Sequence, residues 1–501
     1  MTVTEFATTP PGRRTPTSPV PTRTPRRVPT PSPRTLVSAV ILAVLAVGVV
    51  LAGVAGDLTA HGTITVLVFL VAVWMWIFSP LDDTHVALGA ALTLVILGPV
   101  STETFTRTLG DTVIWLLVGS FVIAAAVTAS GLSARVAARV LSVARSPRQL
   151  VHLVTLVLLL TTFAIPSTSG RAALALPVFL ALATVLRERP RVVLTLSLVF
   201  PAVILCSAVG SLLGAGAHLI TSEIVRTTTG SGIGFLQWAI LGLPLAIVWS
   251  HLAAEIALSL FTDRAERRRP LSVTRDAFVG STGPFTVPQK RVLLVLVAVV
   301  TLWCTEPVHG VEPAIVAMIG ALLASAPFVG ATTLPAAVRT IPWSLLLVMA
   351  GTLCLGVALT TTGAAEWFAD LVFGPISALG SSAATVFVVV LVLVSLLSHL
   401  VVQSRSARSA VLVPVVVATA PVLGIDPAAA AFASTAAAGF CLTLTSSAKP
   451  VAMFAASDSV PGFSTGHLLR LSAAVAPVSV ALVLVCSVWL WPALGLPLYL
   501  P

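Results

Sequence analysis

The sequence has very few charged residues. Only 9% of its 501 residues are Asp, Glu, Lys or Arg, whereas 57% are hydrophobic, and the mean hydropathy is +1.05. A soluble domain of this length needs a charged surface, so the composition excludes one and predicts a polytopic membrane protein. We expect the lipid bilayer to surround it, in the plasma (inner) membrane of the cell.

The chain also lacks the signals of a metal centre or a disulfide framework. Its five cysteines lie in or beside apolar segments, without the spacing of metal ligands. The sequence therefore predicts no disulfide framework, no zinc site and no bound cofactor. The formal net charge is +10, but in a membrane protein a basic excess reflects cytoplasmic loops, so we expect no nucleic-acid partner.

Acidic residues are missing from the apolar stretches that hold isolated cations. None of the 18 Asp and Glu lies in 150–187, 192–222, 383–424 or 427–457. These stretches contain Arg171, Arg405, Arg408 and Lys449. An uncompensated charge inside a bilayer costs at least about 2.5–3.5 kcal/mol. The missing countercharge is most simply an anionic substrate, held by guanidinium groups, serine hydroxyls and helix N-termini.

A motif that occurs twice organises the chain. Ser-x-Ser-x-Arg appears first as Ser167-Thr168-Ser169-Gly170-Arg171 and again as Ser404-Arg405-Ser406-Ala407-Arg408, and a proline follows six residues after each arginine, at Pro177 and Pro414. Each copy interrupts an apolar region. A pair of polar breaks at matching places in two apolar halves predicts the binding site of a transporter with broken helices.

The two halves repeat at other landmarks. Gly119 and Gly131 recur as Gly351 and Gly363 at one offset of 232 positions. We therefore predict an all-α inverted repeat with about eleven transmembrane helices and two re-entrant hairpins. The predicted parts are a disordered cytoplasmic tail 1–34, a first half 35–262 with an inward-opening hairpin 150–187, a linker 263–290, and a second half 291–501 with an outward-opening hairpin 383–424.

The distribution of positive charge predicts the orientation. Of the 28 Lys and Arg, 22 fall in segments that this topology assigns to the cytoplasm, and Arg107 and Arg226 fall outside. Cytoplasmic loops carry the excess of basic residues in membrane proteins. The N-terminus is therefore expected inside the cell and the C-terminus outside.

Several stretches resemble the divalent-anion sodium symporter family, which carries di- and tricarboxylates or sulfate. They are DTVIWLLVGSFVIAAAVTASG (111–131), FLQWAILGLPLA (235–246), LWCTEPVHGVEPAIVA (302–317) and IPWSLLLVMAGTLCLGVALTTTGAAEW (341–367). The family's helix breaks correspond here to Gly214-Ala215-Gly216-Ala217-His218 and Ser446-Ser447-Ala448-Lys449-Pro450. The resemblance implies an elevator transporter, a homodimer whose hairpin-bearing domain moves a small anion across the membrane.

The hairpin tips depart from the family pattern. The tip asparagines that help bind sodium and substrate in sodium-coupled relatives are replaced by Thr168 and Arg405. Arg171 gives Pro-Ser-x-x-x-Arg, which looks like the sodium-independent carboxylate exchangers of the family. We therefore expect dicarboxylate exchange without sodium. Sodium- or proton-coupled symport of dicarboxylate or sulfate is the alternative, and Ser167, Thr168 and Gly214 could keep one sodium site.

The candidate substrate ligands come from the two tips and the two breaks. They are Ser167, Thr168, Ser169, Arg171, His218, Ser404, Arg405, Ser406, Arg408, Ser446, Ser447 and Lys449. Each has a plain structural alternative, because serines in membrane helices often serve packing and a lone arginine such as Arg408 can reach the interface. His218 could be a structural histidine or a proton carrier.

Three further interpretations complete the sequence analysis. His251 and Glu255 are one helical turn apart near the basic linker, and a structural pair is the simpler interpretation. Ser446, Ser447 and Lys449 could form a serine–lysine nucleophile, but an enzyme does not need a duplicated second site, so we expect no enzymatic activity. An anion channel remains the alternative of another class.

Overall fold

The computed structural model describes residues 33–271, 284–377 and 380–500, and these are predominantly α-helical. Extended pairing in this part of the chain consists of three isolated bridges. The predicted all-α fold is confirmed. The predicted tail 1–34, apart from its last two residues, and the middle of the predicted linker lie outside the described residues.

Twelve helices form the first half and twelve the second within the described ranges. The first set is α1 Pro33–Ala55, α2 Ala60–Phe78, α3 Asp83–Leu97, α4 Thr102–Leu109, α5 Thr112–Ala129, α6 Leu132–Leu141, α7 Pro147–Leu160, α8 Thr168–Val185, α9 Pro190–Cys206, α10 Gly216–Thr229, α11 Phe235–Phe261 and α12 Arg264–Arg268. The second set is α13 Val287–Cys304, α14 Glu306–His309, α15 Pro313–Ser325, α16 Leu334–Val338, α17 Trp343–Thr361, α18 Ala364–Ser377, α19 Ala383–Leu397, α20 Arg405–Thr419, α21 Pro427–Ala437, α22 Lys449–Phe454, α23 Thr465–Val485 and α24 Trp491–Ala493.

Eleven helical stretches of the described chain are long and apolar enough to cross a membrane. Their number agrees with the prediction, but their membership differs. The eleven include the hairpin arms α8, α19 and α20, whereas α3, α7 and α15 are shorter apolar helices. Length and hydropathy alone do not separate a crossing helix from a hairpin arm, because both are buried in apolar surroundings.

Each predicted hairpin segment contains two helices, with a serine at the start of the second, and their re-entrant course stays a prediction. The hydroxyl of Ser167 accepts from the backbone N–H of Gly170 at 3.2 Å, and that of Ser404 accepts from the N–H of Ala407 at 3.3 Å. A serine N-cap satisfies a free N–H of the first helical turn and so favours a new helix at that residue. The repeated serine therefore fixes where α8 and α20 begin.

Both predicted broken spans also form, and each break ends on an alanine in the same extended conformation. Residues 207–215 separate α9 from α10, and residues 438–448 separate α21 from α22. Ala215, with φ −157° and ψ 150°, and Ala448, with φ −158° and ψ 145°, each precede the second segment in extended conformation. A Cβ at Gly214 would lie 1.9 Å from the carbonyl oxygen of Ala208, so the first break requires a glycine there.

One packing contact occurs twice, between helices that correspond in the two halves. A Cβ at Gly119 of α5 would lie 2.7 Å from the carbonyl carbon of Ala317 in α15, and a Cβ at Gly351 of α17 would lie 2.7 Å from that of Ala87 in α3. The internal repeat seen in the sequence is therefore also a repeat of tertiary contacts.

The hairpins and the broken helices pack on one another across the two halves. The second arm α8 contacts α9 of its own half and α22 of the other, while α20 contacts α21 of its own half and α10 of the other. The rings of Phe179, Phe200 and Phe454 pack together where α8, α9 and α22 meet. Because the second arm of each hairpin contacts broken-helix segments of both halves, the hairpin tips lie beside the breaks.

Candidate substrate-binding site

Arg171 is buried, and all of its donors are used by the protein. Its side chain is 1% exposed. Nε donates to the Thr161 hydroxyl at 3.0 Å, Nη1 to the Thr162 hydroxyl and the Ile204 carbonyl at 3.4 and 3.0 Å, and Nη2 to the Leu158 carbonyl and the Ser207 hydroxyl, both at 2.6 Å. A guanidinium has five N–H groups. Arg171 therefore has no donor left for a substrate in this arrangement.

Arg408 takes the corresponding place in the second half. It is also 1% exposed, so it does not reach the membrane interface. Nη1 donates to the carbonyl of Ala438, just after α21, at 2.9 Å, and Nη2 contacts the sulfur of Cys441 at 2.8 Å. Each arginine thus binds backbone or side-chain groups at the C-terminal end of the broken helix in its own half, where free carbonyls make the local potential negative.

Arg405 differs from both of these arginines in that one of its terminal nitrogens is free, although Nε of Arg408 is also buried without a partner among the described residues. Nη1 of Arg405 is buried and has no hydrogen-bond partner among the described residues, and no carboxylate of the described chain forms an ion pair with it. Electrostatically it acts on Cys206 and His218 of the first half and on Cys441 and Arg408 of the second. Arg405 therefore lies between the two breaks as a half-buried cation whose Nη1 is a buried, free donor.

His218 lies beside the first break and has one free ring nitrogen. The ring is fully buried and stacks on Trp238, with the centroids 4.9 Å apart. Nδ1 is 2.9 Å from the carbonyl oxygen of Ser211, and because a carbonyl can only accept, Nδ1 carries the hydrogen. Nε2 is buried and has no partner among the described residues. In the neutral ring it is a free acceptor.

The tip serines hold the starts of the second arms, and one of them contacts the opposite break. Ser167 and Ser404 cap α8 and α20, and Thr168 and Ser169 are partly buried in the first turn of α8. Ser406 is buried, and its hydroxyl lies 3.2 Å from the position that a Cβ on Gly216 would take. The start of α20 thus lies against the start of α10.

Lys449 does not belong to the buried cluster of cations. It is exposed at the start of α22, and the carboxylates of Asp82 and Asp83 act on it electrostatically. Asp83 also lies close to the side chain of Ser404. The expectation that no acidic residue lies near these cations is therefore wrong for Lys449, because the fold brings the start of α3 beside the second hairpin tip.

The two serines that precede Lys449 differ in environment. Ser446 is exposed, whereas Ser447 is buried and accepts from the backbone N–H of Leu444 at 3.0 Å. The Ser447 hydroxyl is therefore used to hold the backbone of the second break.

The residues of the possible sodium site share one region. A Cβ at Gly214 would lie 2.9 Å from the hydroxyl of Thr162, in the turn that precedes Ser167 and Thr168. Hydroxyl and carbonyl oxygens are suitable ligands for a hard cation. A sodium site in this region stays a prediction.

Two residues beside Arg405 were missed by the sequence analysis. A Cβ at Gly439 would lie 3.1 Å from Nη2 of Arg405, so a side chain there would displace the guanidinium. Cys441 is fully buried and contacts Arg408. The repeat offset of 237 that relates Arg171 to Arg408 also relates Ile204 to Cys441, so this offset, applied to the breaks, would have identified Cys441.

A separate cavity of about 160 Å³ lies among α4, α10 and α17, away from Arg405. It is lined by the ion group in which Arg226 bonds Glu223 and lies 3.6 Å from Asp111. Its polar lining is already paired within the protein. We call the region of Arg405 and His218, where buried polar atoms lack partners among the described residues, the central site.

The family model for the sodium:sulfate symporter transmembrane region matches residues 34–497. A membrane protein of Cupriavidus necator is 26% identical over 323 residues, which are 63% of this chain and 62% of that protein. A citrate/succinate antiporter of Escherichia coli K12 is 23% identical over 326 residues, 62% of this chain and 64% of the antiporter. The matched region thus spans less than two thirds of these curated relatives.

Solved structures support the same fold. The Alcanivorax borkumensis YdaH transporter matches with a TM-score of 0.54 and 18% identity, over 79% of this chain and 88% of that one. The Neisseria gonorrhoeae efflux pump MtrF matches with a TM-score of 0.55 and 14% identity, over 83% of this chain and 87% of that one. With the family match over residues 34–497, the chain belongs to the sodium:sulfate symporter family of divalent-anion transporters.

Proposed function

We propose that this protein is a secondary active transporter that exchanges small divalent anions, dicarboxylates above all, without sodium. The observation that carries the proposal is the free Nη1 of Arg405, a buried donor on a cation without a carboxylate partner in the described chain. Leaving a charge buried and unpaired costs several kcal/mol. An anion at the central site removes that cost.

The division of roles among the three arginines supports one main anion ligand. All donors of Arg171 are used within the protein, in part at the C-terminal end of α9, and both terminal nitrogens of Arg408 are used near the end of α21, which leaves Arg408 only its Nε free in the described chain. Arg405 can bind one carboxylate with its planar fork, and the start of α10, which lies against Ser406, offers free N–H groups to a second. The similarity to a citrate/succinate antiporter favours carboxylates over sulfate.

Exchange follows from the fixed charge of Arg405. Its guanidinium is a cation with only hydrogen-bond donors, so it repels sodium and offers it no ligand atom. Sodium-coupled members of the family that this chain resembles have an asparagine oxygen at this position. Because this charge cannot dissociate, the empty carrier would move a buried cation through the membrane, which is unfavourable. Crossing is easier with the anion bound, and this is the condition for obligatory exchange.

We further propose that the hairpins and broken helices move as one body, in a homodimer. The contacts of α8 with α9 and α22, and of α20 with α21 and α10, join these elements to one another. The pairs α5 with α15 and α3 with α17 form a second set of close contacts. A body that carries the central site past this second set would transport the anion by an elevator motion.

Counterflow in proteoliposomes tests the proposal. Vesicles loaded with succinate should take up labelled succinate at the same rate with and without sodium, and empty vesicles should take up little. Uptake that depends on a sodium gradient and ignores internal succinate would contradict exchange and favour symport. Large uncoupled anion currents would favour a channel.

The variant Arg405→Asn separates the role of this charge from general damage. It should abolish sodium-independent exchange, and a gain of sodium-dependent uptake would support the substitution of sodium by the guanidinium. Arg107→Asn is the matched control, because Arg107 is exposed and pairs only with Glu103 within its own helix turn. Full exchange activity in Arg405→Asn would refute the assignment.

A further inference from the structure

We propose that His152, His251 and Glu255 form a binding site for one proton, apart from the central site. Nδ1 of His152 lies 2.8 Å from Nδ1 of His251, and Nε2 of His152 lies 2.6 Å from Oε1 of Glu255. The sequence spacing of His251 and Glu255 predicts a direct pair of these two residues. The structure instead inserts His152 of α7 between these two residues of α11, and we call the three side chains the proton site.

The geometry fixes the hydrogens of the neutral site. A carboxylate only accepts, so Nε2 of His152 carries a hydrogen and donates to Glu255. In a neutral His152 the Nδ1 atom is then bare, and it accepts from Nδ1–H of His251. Both short contacts are satisfied, and Nε2 of His251 is left without a hydrogen.

The same geometry accepts one further proton and excludes a second. With one proton added, His152 carries hydrogens on both nitrogens and donates to both neighbours, while His251 accepts at Nδ1 and carries its hydrogen on Nε2. A second proton would place an N–H on each of two nitrogens that are 2.8 Å apart. That arrangement is repulsive, so the pair of rings binds one proton as a unit.

The surroundings supply one carboxylate and one guanidinium to this site. Nε of Arg148 also bonds Oε1 of Glu255, at 2.5 Å. The side chains of His152 and Glu255 are each 30% exposed, so water can deliver the proton. In the described chain the charges that act on His251 and Glu255 are those of His152, Arg148 and each other.

Other charged groups on the packed elements are engaged elsewhere or exposed, apart from Glu266 of α12, whose Oε1 is buried and has no hydrogen-bond partner among the described residues. On α6, Arg135 bonds the carbonyl of Pro284 and Arg139 lies over the ring of Phe285. Arg191 of α9 pairs with Asp263, and Arg291 of α13 bonds the carbonyl of Phe328. Arg470 of α23 lies over the ring of Phe261. His467 of α23 bonds Ser464, and Arg264 and Arg268 of α12 and Lys290 of α13 are exposed. Glu266 and Arg267 complete the charged set on α12.

The bound proton strengthens the contact between the first hairpin and its neighbour. α7 is the first arm of that hairpin, and α11 packs along it. Protonation of His152 turns its bond to Glu255 into an imidazolium–carboxylate pair, and charge-assisted hydrogen bonds are about twice as strong as neutral ones. A tighter joint between α7 and α11 slows the rearrangements of the hairpin, so the exchange rate falls when the site is occupied.

The pH dependence of exchange tests the proposal. Below the midpoint of proton binding the wild-type rate should fall by up to about tenfold per pH unit, the limit for one proton. His152→Gln should remove this dependence, whereas His61→Gln should keep it, since His61 is exposed at the start of α2. Wild type and both variants transport the same substrate, so the effect of pH on the substrate itself cancels when the exchange rate of each variant is divided by that of wild type. An unchanged profile in His152→Gln would overturn the proposal.

If His152→Gln fails to fold, a measurement on the wild-type protein that does not depend on transport still tests the proposal. Nitrogen-15 NMR of histidine-labelled wild-type protein should show His152 and His251 taking up one proton jointly as the pH is lowered. Two rings that each bind a proton independently would overturn the proposal. Failure of exchange activity together with a single joint titration would instead count against the transport function and leave the proton site intact.

Discussion

The guanidinium of Arg171 donates to the carbonyl oxygen of Ile204 at 3.0 Å and so joins the second arm of the first hairpin to the last turn of α9. Carbonyls of a last helical turn have no helical partner and carry the negative end of the helix dipole. Arg408 makes the matching bond to Ala438 in the second half. These two cations therefore stabilise the breaks, whereas Nη1 of Arg405 has no partner in the described chain, and we propose that it binds the anion.

Replacing Arg171 should cost far more stability than replacing Arg405. Arg171→Gln leaves several buried acceptors without donors, at about 1–3 kcal/mol each, so we expect a loss of several kcal/mol. Arg405→Gln removes an unpartnered buried charge and should leave the melting temperature unchanged or higher. Thermal unfolding of the two purified variants beside wild type measures this, and equal losses would contradict the division of roles.

Ligand-induced stabilisation should require Arg405. Succinate at about 100 times its dissociation constant should stabilise the wild-type protein by about 2.7 kcal/mol, because it binds the native state alone. The same concentration should leave Arg405→Gln unshifted, while Arg107→Gln should respond as wild type does. A melting-temperature screen that also contains sulfate, a sugar and a monocarboxylate decides the substrate class. Stabilisation by the sugar with no effect of any dianion would refute the anion site.

The repeated glycine contacts should be sensitive to a single methyl group. Gly119→Ala and Gly351→Ala would each place a Cβ 2.7 Å from a backbone carbon, so the helices must separate, and we expect a loss of about 1–3 kcal/mol in each. Gly89→Ala on α3 is the control, because a Cβ there meets nothing within 4 Å. It should gain about 0.5–1 kcal/mol from helix propensity. Urea or thermal unfolding compares the three.

The predicted orientation can be tested at two exposed positions. Val143, after α6, is 53% exposed, and Val308 of α14 is 87% exposed. With Cys304 replaced by serine, an impermeant maleimide added to intact cells should label Val308→Cys at once and Val143→Cys only after permeabilisation, since the basic segments face the cytoplasm. The reverse pattern would invert the topology.

Local chemistry explains why much of the fold could be predicted from sequence. Apolar runs must be helical in a bilayer, and the serines at 167 and 404 mark helix starts wherever the chain places them. Gly119 and Gly351 indicate the repeat because each is followed by a second glycine, Gly131 or Gly363, at the same spacing. These signals come from local composition and from spacing along the chain, so one sequence was sufficient to identify the membrane class, the repeat, the starts of α8 and α20 and both breaks.

The availability of each side chain was decided only by the tertiary structure. Arg171, Arg405 and Arg408 are equally isolated cations in the sequence. In the structure, residues up to 36 positions away accept all the hydrogen bonds that Arg171 can donate. Arg408 is held by residues 30 and 33 positions away. His152 meets His251 and Glu255 across 99 and 103 positions. Hydrogen-bond saturation depends on which groups come within about 3 Å in space. Sequence spacing does not specify these distances, and the packing of α7, α9, α11 and α20 does.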